Sequence, residues 1–272
     1  MTSGIDPEVN ANALITAMAD ARAGGADMLF APEMALLLDR DRKRAGQTIE
    51  SADYSALVEK ICAAAKEHAV WVTFGLPVRL DSGKLANRSL LIAPSGKVAG
   101  QYDKLHMFDV DLENGVSFRE SKAFKPGDRA VVAETPWGGI GMTVCYDVRF
   151  AYLYRALAKA GASVLMVPAA FTRQTGQAHW HILLQARAIE TGCFVVAPAQ
   201  CGDHEDGRET YGHSLIVAPW GEILADGGAE PGVVMAELDL SRIDKARSMV
   251  PALSHDREFT LPASIGYRIA GE

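Results

Sequence analysis

The ten residues S-L-L-I-A-P-S-G-K-V from Ser89 return as S-L-I-V-A-P-W-G-E-I from Ser214, an offset of 125 residues. Around each copy the chain runs through the same succession of patterns. In the first half, residues 10–25 have helical spacing and end in glycines, a helix stop. Residues 26–33 read as a buried strand broken by Pro32, 53–69 as an amphipathic helix, and 70–80 as a strand. Residues 87–104 read as a hairpin turning at Pro94-Ser95-Gly96. In the second half the order is helix 149–162, strand 163–171 broken by Pro168, helix 179–192, strand 193–201, and a hairpin over 212–226 turning at Pro219-Trp220-Gly221. We read this as a duplicated helix-strand-helix-strand-hairpin unit. Two such halves, each with one apolar sheet face, bury those faces on each other with helices outside. The expected fold is α/β, a four-layer α-β-β-α sandwich in a single domain over residues 1–272.

Composition sets the outer limits. A hydrophobic content of 49% and a charged content of 22% suit a soluble chain with a sizeable core. The net charge of −7 argues against nucleic acid as a partner, because the one basic cluster, DRDRKR at 39–44, is interleaved with aspartates. That cluster reads as a solvated loop. No apolar run reaches the ~20 residues of a membrane span, and the first residues lack the pattern of a signal peptide. A cytoplasmic location is expected. The cysteines, Cys62, Cys145, Cys193 and Cys201, are scattered without a C-x-x-C pair, which argues against both a disulfide framework and a structural zinc site.

Chemistry is expected where buried strands end at the cleft between the halves. Cys145 stands where the apolar run I-G-M-T-V meets Tyr146, Asp147 and Arg149. A free cysteine is often a small buried hydrophobe. At a strand end close to a helix start it is equally placed as a nucleophile, with a thiol pKa lowered toward thiolate. Glu33, inside LFAPEMALLL, is either a structural ion-pair partner or a carboxylate whose pKa burial raises into the range of a general base. Lys104 ends the first hairpin. Beside a cysteine it would stabilise a thiolate and then an oxyanion. Arg149, four residues past Cys145, and Arg173, in the loop after Phe171, are candidates to hold a carboxylate. An internal ion pair with Asp147 is the alternative for Arg149, and an exposed loop position for Arg173. His179 and His181 form an H-x-H pair, but residues two apart on a helix do not face each other, so no metal is expected there.

The stretches FAPE, YDKLHMFD, FRES, PGD, GMTVCYDVRF, PAAF, TGQAHW, ARAIET and YGHSLIVAPWG, in that order, together resemble the carbon–nitrogen hydrolase (nitrilase) superfamily. The resemblance implies a Glu-Lys-Cys triad, mapped here onto Glu33, Lys104 and Cys145. It also implies a second glutamate, Glu120, that positions Lys104 and substrate. Neither metal nor organic cofactor is implied. The substrate would be a small amide carrying a carboxylate, bound near Tyr146, Arg149, Phe171, Thr172 and Arg173, with the Tyr146 N–H as an oxyanion donor. Within the superfamily, ARAIETGCFVVAPAQCG and YGHS look most like the deaminated glutathione amidase branch. Omega-amidases and other small-amide or N-carbamoyl amino acid hydrolases are the alternatives, and a silent binding module the non-enzymatic one. A homodimer or larger homo-oligomer is implied, with the tail 251–272 as one candidate contact. The family's usual first strand would lie upstream of Met1, so the natural start is expected there. The acidic residue usual at position 181 is replaced by His181.

Overall fold

A computed structural model describes residues 1–112 and 115–260. Most of the tail expected at a subunit contact, 261–272, lies outside the described residues.

The first half contributes helices α1 (Pro7–Ala23), α2 (Arg42–Ile49) and α3 (Ala52–Glu67) with strands β1 (Met28–Phe30), β2 (Trp71–Arg79), β3 (Leu85–Ile92) and β4 (Val98–Asp103). Short strands β5 (Asp109–Asp111) and β6 (Ser117–Arg119) pair across the middle. The second half holds β7 (Val131–Thr135), β8 (Gly138–Met142), α4 (Ala151–Lys159), β9 (Ala162–Met166), α5 (Arg173–Thr191) and β10 (Phe194–Ala197). It continues through β11 (Cys201–Asp203), β12 (Glu209–Tyr211), β13 (Leu215–Val217), β14 (Ile223–Asp226) and α6 (Ser241–Met249). One sheet has the order β1-β2-β3-β4, the other β14-β13-β10-β9-β8-β7.

The repeat is visible at the level of single bonds. β1 and β2 are parallel, and β3 and β4 follow antiparallel; β9, β10, β13 and β14 reproduce that sequence of pairings. In the hairpins, the Gly96 N–H donates to the Ala93 carbonyl and the Gly221 N–H to the Ala218 carbonyl, each at 2.8 Å. Both glycines have positive φ, 78° and 96°, which a side chain would resist. The register even slips at matching places, between Leu91 and Ile92 and between Ile216 and Val217. Both slips fall between the third and fourth residues of the repeated ten.

Alternation along β3 shows how the layers form. Leu90 and Ile92 pack with α1 and α3 in one core, while Leu91 belongs to the other core with Tyr102, Ile140 and Met142. The sheets meet where Gly100 faces Ala133 and Met142; a Cβ on Gly100 would come within 2.8 Å of the Ala133 Cβ. Helices α4 and α5 cover the outside of the second sheet. The architecture is the expected four-layer sandwich.

Two local readings are corrected. The basic cluster does not form only a loop: Asp41 caps α2 by accepting from the Lys43 and Arg44 amides, and Arg44 pairs with Asp39 at 2.7 Å. The strand read up to Cys145 ends at Met142, because Thr143 and Val144 turn the chain out of the sheet before Cys145.

Candidate active site

Elements from both halves deliver the charged residues to one buried place. Glu33 follows β1 and is held from both sides. Its Oε2 accepts from the Ala170 N–H of the loop after β9 (2.7 Å), and its backbone carbonyl accepts from Gln200 Nε2 (3.0 Å). Beneath it, Gly75 of β2 lies so close that a Cβ would sit 2.6 Å from Met34 N and 2.9 Å from Glu33 Cα. Lys104 directly follows β4 and is 2% exposed. Its Nζ reaches Glu33 Oε1 at 3.1 Å and Glu120 at 2.8 and 3.1 Å. Cys145, 8% exposed, lies close enough to Glu33 and Lys104 for both charges to act on its thiol.

Cys145 occupies a strained corner. Its φ is +50°, a left-handed conformation uncommon for a side-chain-bearing residue, and its N–H is fixed to the Pro168 carbonyl at 2.9 Å. A short 3₁₀ turn, Cys145–Arg149, follows. The Asp147 N–H bonds to the Val144 carbonyl, whereas the Tyr146 N–H has no acceptor among the described residues.

Electrostatics favour the ion-paired alternative for Glu33 and differ from the sequence expectation for Cys145. Burial raises the Glu33 pKa, but the Lys104 ammonium, the Ala170 N–H and the Asn87 amide outweigh it and hold the carboxylate below its ordinary 4.5. Glu33 is therefore ionised at neutral pH rather than tuned upward. Burial, then the Glu33 charge, push the Cys145 thiol well above its ordinary 9.0, with Lys104 opposing only in part. The resting sulfur is a thiol, not the thiolate expected from a helix start. Lys104 is held well above 10.5: burial lowers it, and Glu120 and Glu33 more than compensate. With a carboxylate, an ammonium and a neutral thiol brought together, a proton can pass from sulfur to oxygen without changing the net charge of the site.

Two residues that the sequence reading did not assign to the site complete the arrangement. Asn87, 1% exposed, donates from Nδ2 to Glu33 (2.7 Å) and Glu120 (3.1 Å), so one amide group holds both carboxylates around Lys104. The signal available was a polar residue in register with Ser89 and Leu91 on the inward face of β3. Asp147, fully buried, accepts from Tyr102 Oη (2.7 Å), Val144 N (2.9 Å) and His106 N (3.0 Å), with His106 Nδ1 at 2.6 Å. It ties the turn after Cys145 to the segment after Lys104.

The remaining predicted residues have separate surroundings. Glu120 accepts from Lys104, Asn87 and the Phe108 N–H (2.7 Å), and so braces the lysine. Arg149 does not pair with Asp147; it lies over the Tyr146 and Phe171 rings, 5.9 and 5.5 Å away, with an Nη2 3.2 Å from His179 Nδ1. Arg173 starts α5, is exposed, and pairs at the surface with Asp203 (3.0 Å) and Glu209 (3.1 Å). Thr172 precedes it, its hydroxyl 2.7 Å from that of Thr175. Phe171 is buried against Trp180, ring centroids 4.9 Å apart. A cavity of about 520 Å³ is lined by Ile189, Trp220, Arg247 and Leu253, and none of the predicted site residues lines it.

A carbon–nitrogen hydrolase family model matches residues 2–248. The chain belongs to the carbon–nitrogen hydrolase family. Members hydrolyse carbon–nitrogen bonds other than peptide bonds, and this hydrolase acts on a small-molecule amide. It is 41% identical over 236 residues to the deaminated glutathione amidase of Synechocystis sp., covering 85% of this chain and 86% of that one. The crystal structure of the Caenorhabditis elegans NitFhit protein superposes with a TM-score of 0.86 at 37% identity; the hydrolase covers 63% of that longer chain, and 94% of its own length is matched. An amidase from Nesterenkonia sp. AN1, carrying acrylamide added at its active-site cysteine, superposes with a TM-score of 0.77 at 26% identity. That match covers 92% of the hydrolase and 95% of the amidase. Among the described residues no helix is long and apolar enough to cross a membrane.

Proposed function

We propose that this chain is a deaminated glutathione amidase, releasing 2-oxoglutarate and cysteinylglycine through a thioester on Cys145. The convergence of Glu33, Lys104 and Cys145 carries the reaction type. The 41% identity to the Synechocystis enzyme supports the substrate. The active-site cysteine of the Nesterenkonia amidase supports the nucleophile.

As the sulfur attacks the amide carbon, the ionised Glu33 takes its proton. Lys104 has three N–H donors; Glu33 and Glu120 occupy two directions, and the third, with the free Tyr146 N–H, receives the oxyanion. The C–N bond then breaks as Glu33 protonates the departing amine. Water attacks the thioester, Glu33 takes its proton, and collapse releases the carboxylate and restores the thiol. The raised thiol pKa suits this sequence, because proton and carbon transfer are coupled and no free thiolate waits in the resting site.

Arg149 is the group that fits the substrate's carboxylate. It is half-buried, faces two aromatic rings, and has no carboxylate partner among the described residues. Exposed apolar side chains on α4 and α5, Tyr152, Ile182 and Ile189, support association of two copies. The reading also takes the chain as one domain and the protein as cytoplasmic, the latter in keeping with its four free cysteines.

Turnover of deaminated glutathione and of 2-oxoglutaramate on the same preparation tests the substrate. The reading expects a higher kcat/KM on the former, and Arg149→Met to raise KM more than it lowers kcat. Equal or greater efficiency on 2-oxoglutaramate would make the chain an omega-amidase instead.

A further inference from the structure

Away from the triad, three ligand-type side chains from three elements meet. His181 of α5 brings Nε2 to 3.2 Å from Asp226 Oδ2, and His213, in the turn before β13, brings Nδ1 to 3.1 Å from the same oxygen and 3.0 Å from Oδ1. One ligand atom from each residue lies within 4.8 Å of the other two. We infer that His181, His213 and Asp226 form a divalent transition-metal site, of the kind zinc occupies, that clamps α5 to the second hairpin.

Three observations carry this. The distances fit: zinc bound at roughly 2.0–2.2 Å in a tetrahedron holds its ligand atoms about 3.3–3.5 Å apart, close to the two measured edges. The donor set is imidazole, imidazole and carboxylate, which suits zinc and its neighbours rather than magnesium or calcium. The site is also held in place by its surroundings. His213 has a φ of +55°, its N–H donates to the Gly228 carbonyl at 2.6 Å, and its carbonyl accepts from the buried Trp180 indole at 2.8 Å. Its ring stacks on Tyr211, centroids 4.5 Å apart, and Asp226 accepts from the Gly228 N–H at 2.9 Å. The three side chains are 27–34% exposed, which leaves a fourth position to water and a path for entry.

Without metal, Asp226 is the acceptor for the ring N–H groups. Metal takes over the two ring lone pairs and the carboxylate; each imidazole then carries its single proton on the other nitrogen, and any imidazolium loses one proton to solvent. His181 is thus the residue that supplies the second imidazole.

Zinc and cobalt(II) are the probes, added to the metal-free Cys145→Ala protein so that the buried thiol contributes nothing. Calorimetry should give one zinc per chain, and cobalt(II) should give intense visible ligand-field bands without a sulfur charge-transfer band. His213→Ala and the milder His181→Gln, each checked for a native circular dichroism spectrum, should weaken zinc binding by on the order of 100-fold or more. Zinc should raise the Tm of the parent and leave that of His213→Ala unchanged. No stoichiometric binding, or binding that survives both substitutions, overturns the site, as does a pale octahedral cobalt spectrum.

Discussion

At Lys104 the chain has placed an ammonium between two carboxylates and next to a thiol, all nearly out of solvent. Such a cluster is stable only when complete, because removing one partner leaves an uncompensated buried charge. Lys104→Met should lower kcat on the order of 100-fold or more by removing the oxyanion donor, and cost about 3–5 kcal/mol in urea unfolding at pH 7. Unchanged stability would mean that Glu33 and Glu120 were not relying on it. The pH dependence follows from the signs. Glu33 has a lower pKa folded than unfolded, so its contribution is present above about pH 4.5 and lost as pH falls through the folded value. Lys104 has a raised pKa, so its contribution is present below about 10.5 and lost as pH rises through the folded value. Between those limits both contributions are in place. The acid limb of kcat/KM should accordingly lie below pH 4.5, and a limb near 6 would contradict an ionised resting Glu33. Glu33 and Cys145 stand out in the sequence because a charge or thiol among apolar residues invites a chemical reading, whereas Lys104, in Q-Y-D-K-L-H, takes its meaning from a neighbouring cysteine and from the family resemblance. The direction of the Glu33 shift could not be read, since it depends on Lys104, the Ala170 N–H and Asn87, none of which is near it in sequence.

Among elements, the connection between the strand ends matters most. Asp147 gathers Tyr102 from β4, His106 beyond Lys104, and Val144 before Cys145, and so sets the distance between ammonium and sulfur. Asp147→Ala would strand several buried donors; it should cost about 3 kcal/mol in urea unfolding and reduce kcat together with stability. Retained kcat in a destabilised but folded variant would show that the clamp serves stability alone. Elements announced by turn chemistry, such as the two Pro-x-Gly hairpins, could be read directly, since Gly96 and Gly221 take the positive φ that the turn demands. Helix α2 could not, because its sequence RKRAGQTI has little apolar periodicity and forms on an Asp41 cap. The partners of Arg173, Asp203 and Glu209, come from the β11–β12 hairpin, which leaves little trace in the sequence. His181, His213 and Asp226 lie on a helix and a hairpin that could each be read, but nothing in the spacing shows that the helix sets His181 against that hairpin.

For the whole molecule, the duplication builds two sheets and the site lies where their strand ends converge, so activity depends on how closely the sheets approach. Gly100 marks that approach, with Ala133 and Met142 across from it. Gly100→Val should force the sheets apart, cost about 1–3 kcal/mol in thermal or urea unfolding, and lower kcat by shifting Lys104, which directly follows the same strand. A variant as active and as stable as the parent would show that the interface has slack. The repeat in the sequence disclosed this arrangement; the residues that adjust it are small and apolar, and nothing in their type sets them apart. The claim on which all else rests is the covalent step, and rapid quenching during turnover of deaminated glutathione, followed by intact-mass and peptide analysis, tests it most directly. The account predicts a 2-oxoglutaryl adduct on the peptide containing Cys145, absent from Cys145→Ala, which should also be inactive. Turnover by Cys145→Ala, or an adduct on another residue, would contradict it.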